Sequence, residues 1–352
     1  MDAGQSQVEN LEYDFSTLDS FITPNDLFYV RNHYPYPAAS QEADLGSWQL
    51  QIKGKVERPY SLNLDELRDL PATTLTATLE CAGNHRSFLN PPVGGLQWGQ
   101  GAVSNAEWTG VPLRTLLERA GIKPSAVEII VEGADKGEVK TTPKPAGEIH
   151  FARSLPLDHP VIADTLLVYE MNGEPLSVAH GAPLRLVVPG WYAMASVKWV
   201  QRLVVTATPF NGYYQSVDYA RWVRVDGMPT RVPITDMQPK AAIARPTVDE
   251  VLPLNQPFCM RGAAWSGGAT VVKVEISADG GEHWAEAQLE GEPLPYAWRL
   301  WSYEAPAFTQ PGRYHLMARA TDSRGKRQPM QRDADQENYM ISHVIPIPVT
   351  VQ

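Results

Sequence analysis

Cysteine is nearly absent from this chain: 352 residues contain Cys81 and Cys259 and no others. Two cysteines do not make a disulfide scaffold. Stability must come from hydrophobic cores, for which 43% hydrophobic content is ordinary. No apolar run reaches the ~18 residues of a membrane span, so none is expected. Basic charge is also short: the formal net charge is −10, which argues against general nucleic-acid binding. A small anion is not excluded by that figure, since a few arginines can make a positive cleft in an acidic protein. The dinucleotide loop Gly-x-Gly-x-x-Gly, the Walker loop, His-Glu-x-x-His, Cys-x-x-Cys and the Gly-x-Ser-x-Gly elbow are all missing. Met1–Asn10 carries no basic region, apolar core or twin arginine, so it does not read as an export signal. The cytoplasm is the expected compartment, and a periplasmic protein with its signal removed would read identically.

Long helical patterns are scarce as well. Leu64–Leu70 and Leu113–Ala120 are the best short helices, the second with Leu113, Leu116 and Leu117 on one face and Gly121 as its C-cap. Trp48–Ile52 and part of Leu184–Val188 alternate, whereas Val127–Val131 and Leu166–Tyr169 read as strands buried on both faces. Residues 1–236 are therefore expected to form a mixed α+β domain. The character changes near Met237–Pro246. Val272, Val274 and Ile276 alternate with polar residues before a turn at Ala278–Gly281, and Tyr314, Leu316, Ala318 and Ala320 repeat the pattern. Strands at this spacing suggest an immunoglobulin-like sandwich over residues 237–352.

Cys81 is the residue with the most chemistry. A thiolate suits soft or redox-active metals, and Arg86, five positions on, is able to hold an anion. Ala82 and Gly83 leave room for a bulky group. Read alone, Cys81 is more often a small buried hydrophobe, and Cys259, between Phe258 and Met260, is best read as sandwich core. Three further clusters are ambiguous singly: Phe28-Tyr29-Val30-Arg31-Asn32-His33, Ala179-His180-Gly181-Ala182-Pro183-Leu184-Arg185, and Ser196-Val197-Lys198-Trp199. Each also reads as a solvated loop, a satisfied histidine or a strand edge with a snorkelling lysine.

Taken in order, Phe-Tyr-Val-Arg-Asn-His (28–33), Glu-Cys-Ala-Gly-Asn-His-Arg (80–86), Glu-Gly-Ala-Asp (132–135), Tyr-Glu-Met-Asn-Gly-Glu-Pro-Leu (169–176), His-Gly-Ala-Pro-Leu-Arg (180–185), Val-Lys-Trp (197–199) and Asp-Tyr (218–219) resemble the sulfite oxidase family of molybdenum enzymes, which includes the assimilatory nitrate reductases. The resemblance implies one molybdenum–molybdopterin per chain, with Cys81 as the protein ligand to the metal. It implies that Tyr29, Val30, Arg31, Asn32, His33, Asp135, His180, Arg185, Ser196, Val197 and Lys198 hold the pterin and its phosphate. Arg31 and Arg86 would clamp an oxyanion, Tyr219 would donate a hydrogen bond and Trp98 would wall the pocket. Residues 237–352 would be the family's homodimerisation domain.

The implied activity is oxidation of sulfite to sulfate. Reduction of nitrate, or of another oxyanion or sulfoxide, is the alternative within the class, and a cofactor-free β-rich binding protein is the alternative outside it. Two residues depart from the pattern of the animal sulfite oxidases, one inside a motif and one near the C-terminus. His85 stands where the family commonly has a second arginine, and Met340 falls where animal sulfite oxidases have an arginine and nitrate reductases a methionine. No haem or flavin domain is read in the sequence, so electrons are expected to pass to a separate protein such as a cytochrome.

Overall fold

The computed structural model describes residues 8–40 and 42–352, apart from the side chains at 39 and 42–44. The N-terminal stretch read for export lies mostly outside the described residues. The chain is mostly β. Among the described residues, α-helix is confined to Leu64–Arg68 and Leu113–Ala120. The first is started by a reciprocal cap, in which the Asn63 side chain accepts from the Glu66 amide and the Glu66 carboxylate accepts from the Asn63 amide. The second buries Leu113, Leu116, Leu117 and Ala120 and stops at Gly121, whose φ of 70° suits glycine.

Two compact units emerge, and neither is a single stretch of chain. Unit 1 comprises Met1–Leu11, Tyr29–Leu75 and Ala106–Thr235; unit 2 comprises Glu12–Phe28, Thr76–Asn105 and Asp236–Gln352. The division falls inside two strands, Thr73–Glu80 and Val103–Pro112.

In unit 1 a five-stranded sheet has the order Tyr60–Leu62, Leu50–Gly54, Val200–Thr206, Glu128–Glu138, Glu148–Pro156. Leu50–Gly54 runs parallel to Val200–Thr206 and the remaining pairs are antiparallel. A bulge between Glu132 and Lys136 interrupts the pairing with Glu148–Pro156. Asp135 sits in that interruption, freed from the ladder. A second set of pairs joins Leu166–Met171 to Trp108–Pro112 and to Arg185–Val187.

Unit 2 holds two sheets whose inner residues share one core. Met260, Ala264 and Trp301 come from one sheet, and Val274, Ile276, Leu316, Ala318, Ile347 and Val349 from the other. The alternation expected at Val272 is out of phase. A bulge between Val271 and Lys273 puts Val271 in the core and leaves Val272 51% exposed. Cys259 likewise departs from its core reading. It is an exposed free thiol, because strand alternation gives the inward position to Met260.

Candidate active site

In unit 1 the residues expected to hold a cofactor gather around the short strand Val30–Arg31, which pairs with Asn10–Leu11. The Asn10 carboxamide oxygen accepts from the Asn32 amide at 3.0 Å and from Arg31 Nη1 at 3.3 Å. Arg31 also donates to the Asn32 carbonyl. Lys198 donates to the Asn32 side chain and, at 2.9 Å, to the Ala179 carbonyl. Arg185 is buried, donates to the carbonyls of His180 at 3.1 Å and Ser196 at 3.4 Å, and lies over the Trp108 ring. Ser196 Oγ accepts from the Val188 amide, and Val197 is buried behind it.

Two glycines allow the approach. Gly181, at φ 106°, would place a Cβ 3.0 Å from the Cβ atoms of both Arg185 and Lys198. A Cβ at Gly133 would collide with the Asp135 carboxylate and lie 2.8 Å from the Lys198 carbonyl.

The electrostatics of this cluster are unbalanced toward positive charge. Burial, and then Arg185, hold the Lys198 pKa well below its ordinary value, with Asp135 pulling the other way. Burial lowers Arg185 to about 10. Burial also raises Asp135 to about 7, against the pull of Lys198, so the one carboxylate among these residues is a weak counter-charge near neutrality. The Arg185 Nε has no hydrogen-bond partner among the described residues. Cations crowded this closely and compensated mainly by carbonyl dipoles fit a phosphate-bearing group. The neighbouring amides, carbonyls and His180 supply the mixed donors and acceptors that a pterin edge needs. By the chemistry of its donors, the cluster fits molybdopterin.

His33 and Tyr219 are brought together. The Tyr219 hydroxyl and His33 Nε2 are 2.9 Å apart, and the Asp218 carboxylate lies 3.8 Å from the same nitrogen. The imidazole stacks on Phe151 with ring centres 4.9 Å apart and meets the edge of Tyr214. Burial, followed by Arg31 and Lys198, holds its pKa well below the usual histidine range. A neutral imidazole can accept from the tyrosine hydroxyl. Phe151, Tyr214 and Trp108 were not foreseen as partners. Their aromatic character was visible in the sequence, but nothing local tied them to residues 29–33.

In unit 2, Cys81 follows the last residue of strand Thr73–Glu80, is buried and is in no disulfide. Its amide donates to the Ala102 carbonyl at 2.9 Å, and its carbonyl accepts from Asn84 at 2.9 Å. The Asn84 side chain accepts from the Ala102 amide at 3.2 Å, closing the turn against residues 99–102. His85 is 1% exposed with φ 73°, and its Nδ1 has no hydrogen-bond partner among the described residues. Burial, then Lys240 and His343, push its pKa well down.

Arg86 is 3% exposed. It donates from Nη1 to the Leu96 carbonyl at 2.7 Å and from Nε to the Asn338 carbonyl at 3.0 Å, and it lies over the Tyr339 ring. Cβ atoms at Gly83 or Gly95 would run into its guanidinium. Met340, also buried, donates its amide to the Ala82 carbonyl at 2.8 Å. The methionine singled out from the sequence is therefore fastened to the residue after Cys81. Trp98 is buried with an unpartnered Nε1 among the described residues.

Comparison with known proteins follows the same ground. Residues 33–214 match the oxidoreductase molybdopterin-binding domain, and residues 231–339 match the Mo-co oxidoreductase dimerisation domain. The mitochondrial sulfite oxidase of Drosophila melanogaster is 37% identical over 337 residues, covering 88% of this chain and 56% of that protein. An inducible NADH nitrate reductase of Glycine max is 34% identical over 345 residues, covering 88% of this chain and 37% of that protein. This chain thus spans little more than half the length of the first relative and less of the second. Among solved structures, the sulfane dehydrogenase SoxCD of Paracoccus pantotrophus superimposes with a TM-score of 0.80 at 28% identity, over 97% of this chain and 84% of that one.

Two outcomes are expected from this geometry. In cofactor-free protein the native state binds more protons than the unfolded chain between the ordinary aspartate value of 3.8 and about 7 at Asp135. Wild type should therefore lose stability relative to Asp135→Asn as pH rises through that window, read as the difference in melting temperature across a pH series. Arg86→Ala should cost about 1–3 kcal/mol in chemical denaturation, because it removes a buried side chain whose charged donors hold the part-buried carbonyls of Leu96 and Asn338.

Proposed function

Because the chain belongs to the sulfite oxidase family of molybdopterin oxidoreductases, we propose that it oxidises sulfite to sulfate and passes two electrons to a separate acceptor protein. The reaction takes its oxygen from water and releases two protons with the electrons. The observation that supports this reading is the excess of basic side chains, half-buried Arg31 with buried Arg185 and Lys198, over the one buried carboxyl among them, Asp135. A phosphate-bearing pterin would neutralise that excess. The bound molybdenum supplies the oxygen-atom and electron-transfer chemistry, and everything else falls to the chain.

In this reading Cys81 is the thiolate ligand to the metal. Tyr29, Val30, Asn32, His33, Asp135, His180, Arg185, Ser196, Val197 and Lys198 bind the pterin. Arg31 attracts the oxyanion, and Tyr219, hydrogen-bonded to His33, offers its hydroxyl to developing negative charge on oxygen. Arg86 has five N–H donors, of which two serve the carbonyls of Leu96 and Asn338. Its first task is to shape the loop after Cys81, and clamping of the anion draws on the remaining donors. Trp98 walls the pocket. Unit 2, with its four- and five-stranded sheets, is read as the immunoglobulin-like dimerisation domain of a homodimer.

A second reading is sulfane oxidation. It is favoured by the structural match over 97% of the chain to a sulfane dehydrogenase, and by uncharged Met340 and neutral His85 in the segments around Cys81. Fewer fixed positive charges there suit a less highly charged sulfur substrate.

Metal analysis of purified protein should find about one molybdenum per chain, and Cys81→Ser should lose activity while the fold is kept, since a hydroxyl is a poor substitute for thiolate. Full activity in molybdenum-loaded Cys81→Ser would overturn the ligand role. A panel of sulfite, a sulfane-sulfur compound and nitrate, each with artificial donors or acceptors, decides the substrate; turnover of nitrate alone would sink both sulfur readings. Arg31→Ala should mainly raise KM for the anion, by about tenfold or more for the loss of one charged contact. Equal losses in kcat and kcat/KM would assign it to the transition state instead.

A further inference from the structure

Immediately before Cys81 in the sequence stands Glu80, a carboxylate with 1% of its side chain exposed. Its Oε1 accepts from Lys240 Nζ at 2.8 Å and from Asn84 Nδ2 at 3.2 Å. Its Oε2 accepts from Trp265 Nε1 at 2.8 Å. Lys240 is as deeply buried, at 2% exposure, and Trp265 is its direct cross-strand neighbour. The network is therefore closed: one acid, one base, and two neutral donors arranged around both carboxylate oxygens.

An ion pair taken this far from water is a poor way to gain stability, because the desolvation of both charges offsets their attraction. Apolar residues would fill the space at less expense. Two features tie the pair to the residue that follows it. Glu80 ends the strand from which Cys81 emerges, and Asn84 joins the same carboxylate to the turn that begins at the Cys81 carbonyl. Lys240 is also close enough to Cys81, His85 and His343 for its charge to act on all three.

We infer that the buried Glu80–Lys240 pair is a positioning device for the Cys81 sulfur: it fixes the strand end and turn that present the ligand, and it sets the charge the sulfur feels. This rests on the ligand role given to Cys81 above. Lys240 touches neither the substrate nor the cofactor in this account. It acts through Glu80 and Cys81.

Lys240→Met alone leaves a buried carboxylate uncompensated and should destabilise the fold, as breaking any such pair does. The informative variant is Glu80→Gln/Lys240→Met, which removes both charges and keeps an acceptor for the Trp265 indole. In molybdenum-loaded protein it should melt within a few degrees of wild type. Its molybdenum(V) EPR spectrum should nevertheless be shifted, and the metal should be lost several-fold faster on gel filtration. The control is a second ion pair in the same unit, Arg319–Glu275 at 2.9 Å; Glu275→Gln/Arg319→Met should leave spectrum and retention unchanged. If the double variant does not fold, Glu80→Gln is read in the same way, since an unpaired lysine can shed its charge.

A wild-type spectrum and retention in the Glu80 variants overturns the inference while leaving the ligand role intact. Equal shifts in the control pair also overturn it, by making the effect a general one. Wild-type protein purified without molybdenum from cells that load other molybdopterin enzymes removes the ligand role itself, and this inference with it.

Discussion

A charged carboxylate at 1% exposure persists only if both oxygens are fully engaged, and Glu80 meets that condition with three donors drawn from three separate segments. Lys240 and Trp265 lie 160 and 185 residues along the chain. This requirement joins the strand end at Glu80 to strands that begin the C-terminal portion, and the segment Thr76–Asn105 accordingly belongs to the same compact unit as Asp236–Gln352. Cys81 inherits a fixed backbone from its neighbour. Its amide and carbonyl are then satisfied by Ala102 and Asn84, so the residue is held on both sides before any ligand arrives.

Unit 1 solves the opposite problem. There the surplus is of basic groups, and Asp135 is the one buried carboxyl among the clustered residues set against it. Arg185 and Lys198 lean on the carbonyls of Ala179, His180 and Ser196, and Asp135 takes up a proton near neutrality rather than a full negative charge. Carbonyl dipoles reduce the cost of such an arrangement without cancelling it. The chain therefore carries a standing electrostatic demand for an anion at this cluster. The neutral state of His33 follows first from its burial and then from the same field, since Arg31 and Lys198 both act against its protonation.

The sequence made the local pieces visible and left the long-range ones hidden. The helix at Leu113–Ala120 with its glycine stop, the strands near Leu166 and Leu316 and the mostly β character beyond residue 237 were readable, because each follows from nearest-neighbour periodicity and turn chemistry. The bulge at Val271–Lys273 was not, since one inserted residue reverses the alternation without leaving a composition signal. Arg31, His33, Asp135, His180, Arg185 and Lys198 were identified as a set only through the order of their motifs; their distances supply the charge imbalance that the motifs do not express. Glu80 stood within a quoted motif, yet its partner Lys240 lies in an unremarkable run, and no local rule couples the two.

The arginines differ in how much of each guanidinium the fold already uses, and that difference orders their roles. Arg86 has given two donors to backbone carbonyls, rests on Tyr339 and is enclosed by glycines at 83 and 95. Moving it would give up its hold on Asn338 and Tyr339 beside the turn after Cys81. Arg185 is buried, spends two donors on carbonyls and has one nitrogen left unpartnered among the described residues, so it can gain a ligand without giving up its fixed position. Arg31 is less buried and donates to its neighbour and to Asn10. A half-buried guanidinium is more accessible to an arriving anion, whereas Arg86 can contribute only from where it stands.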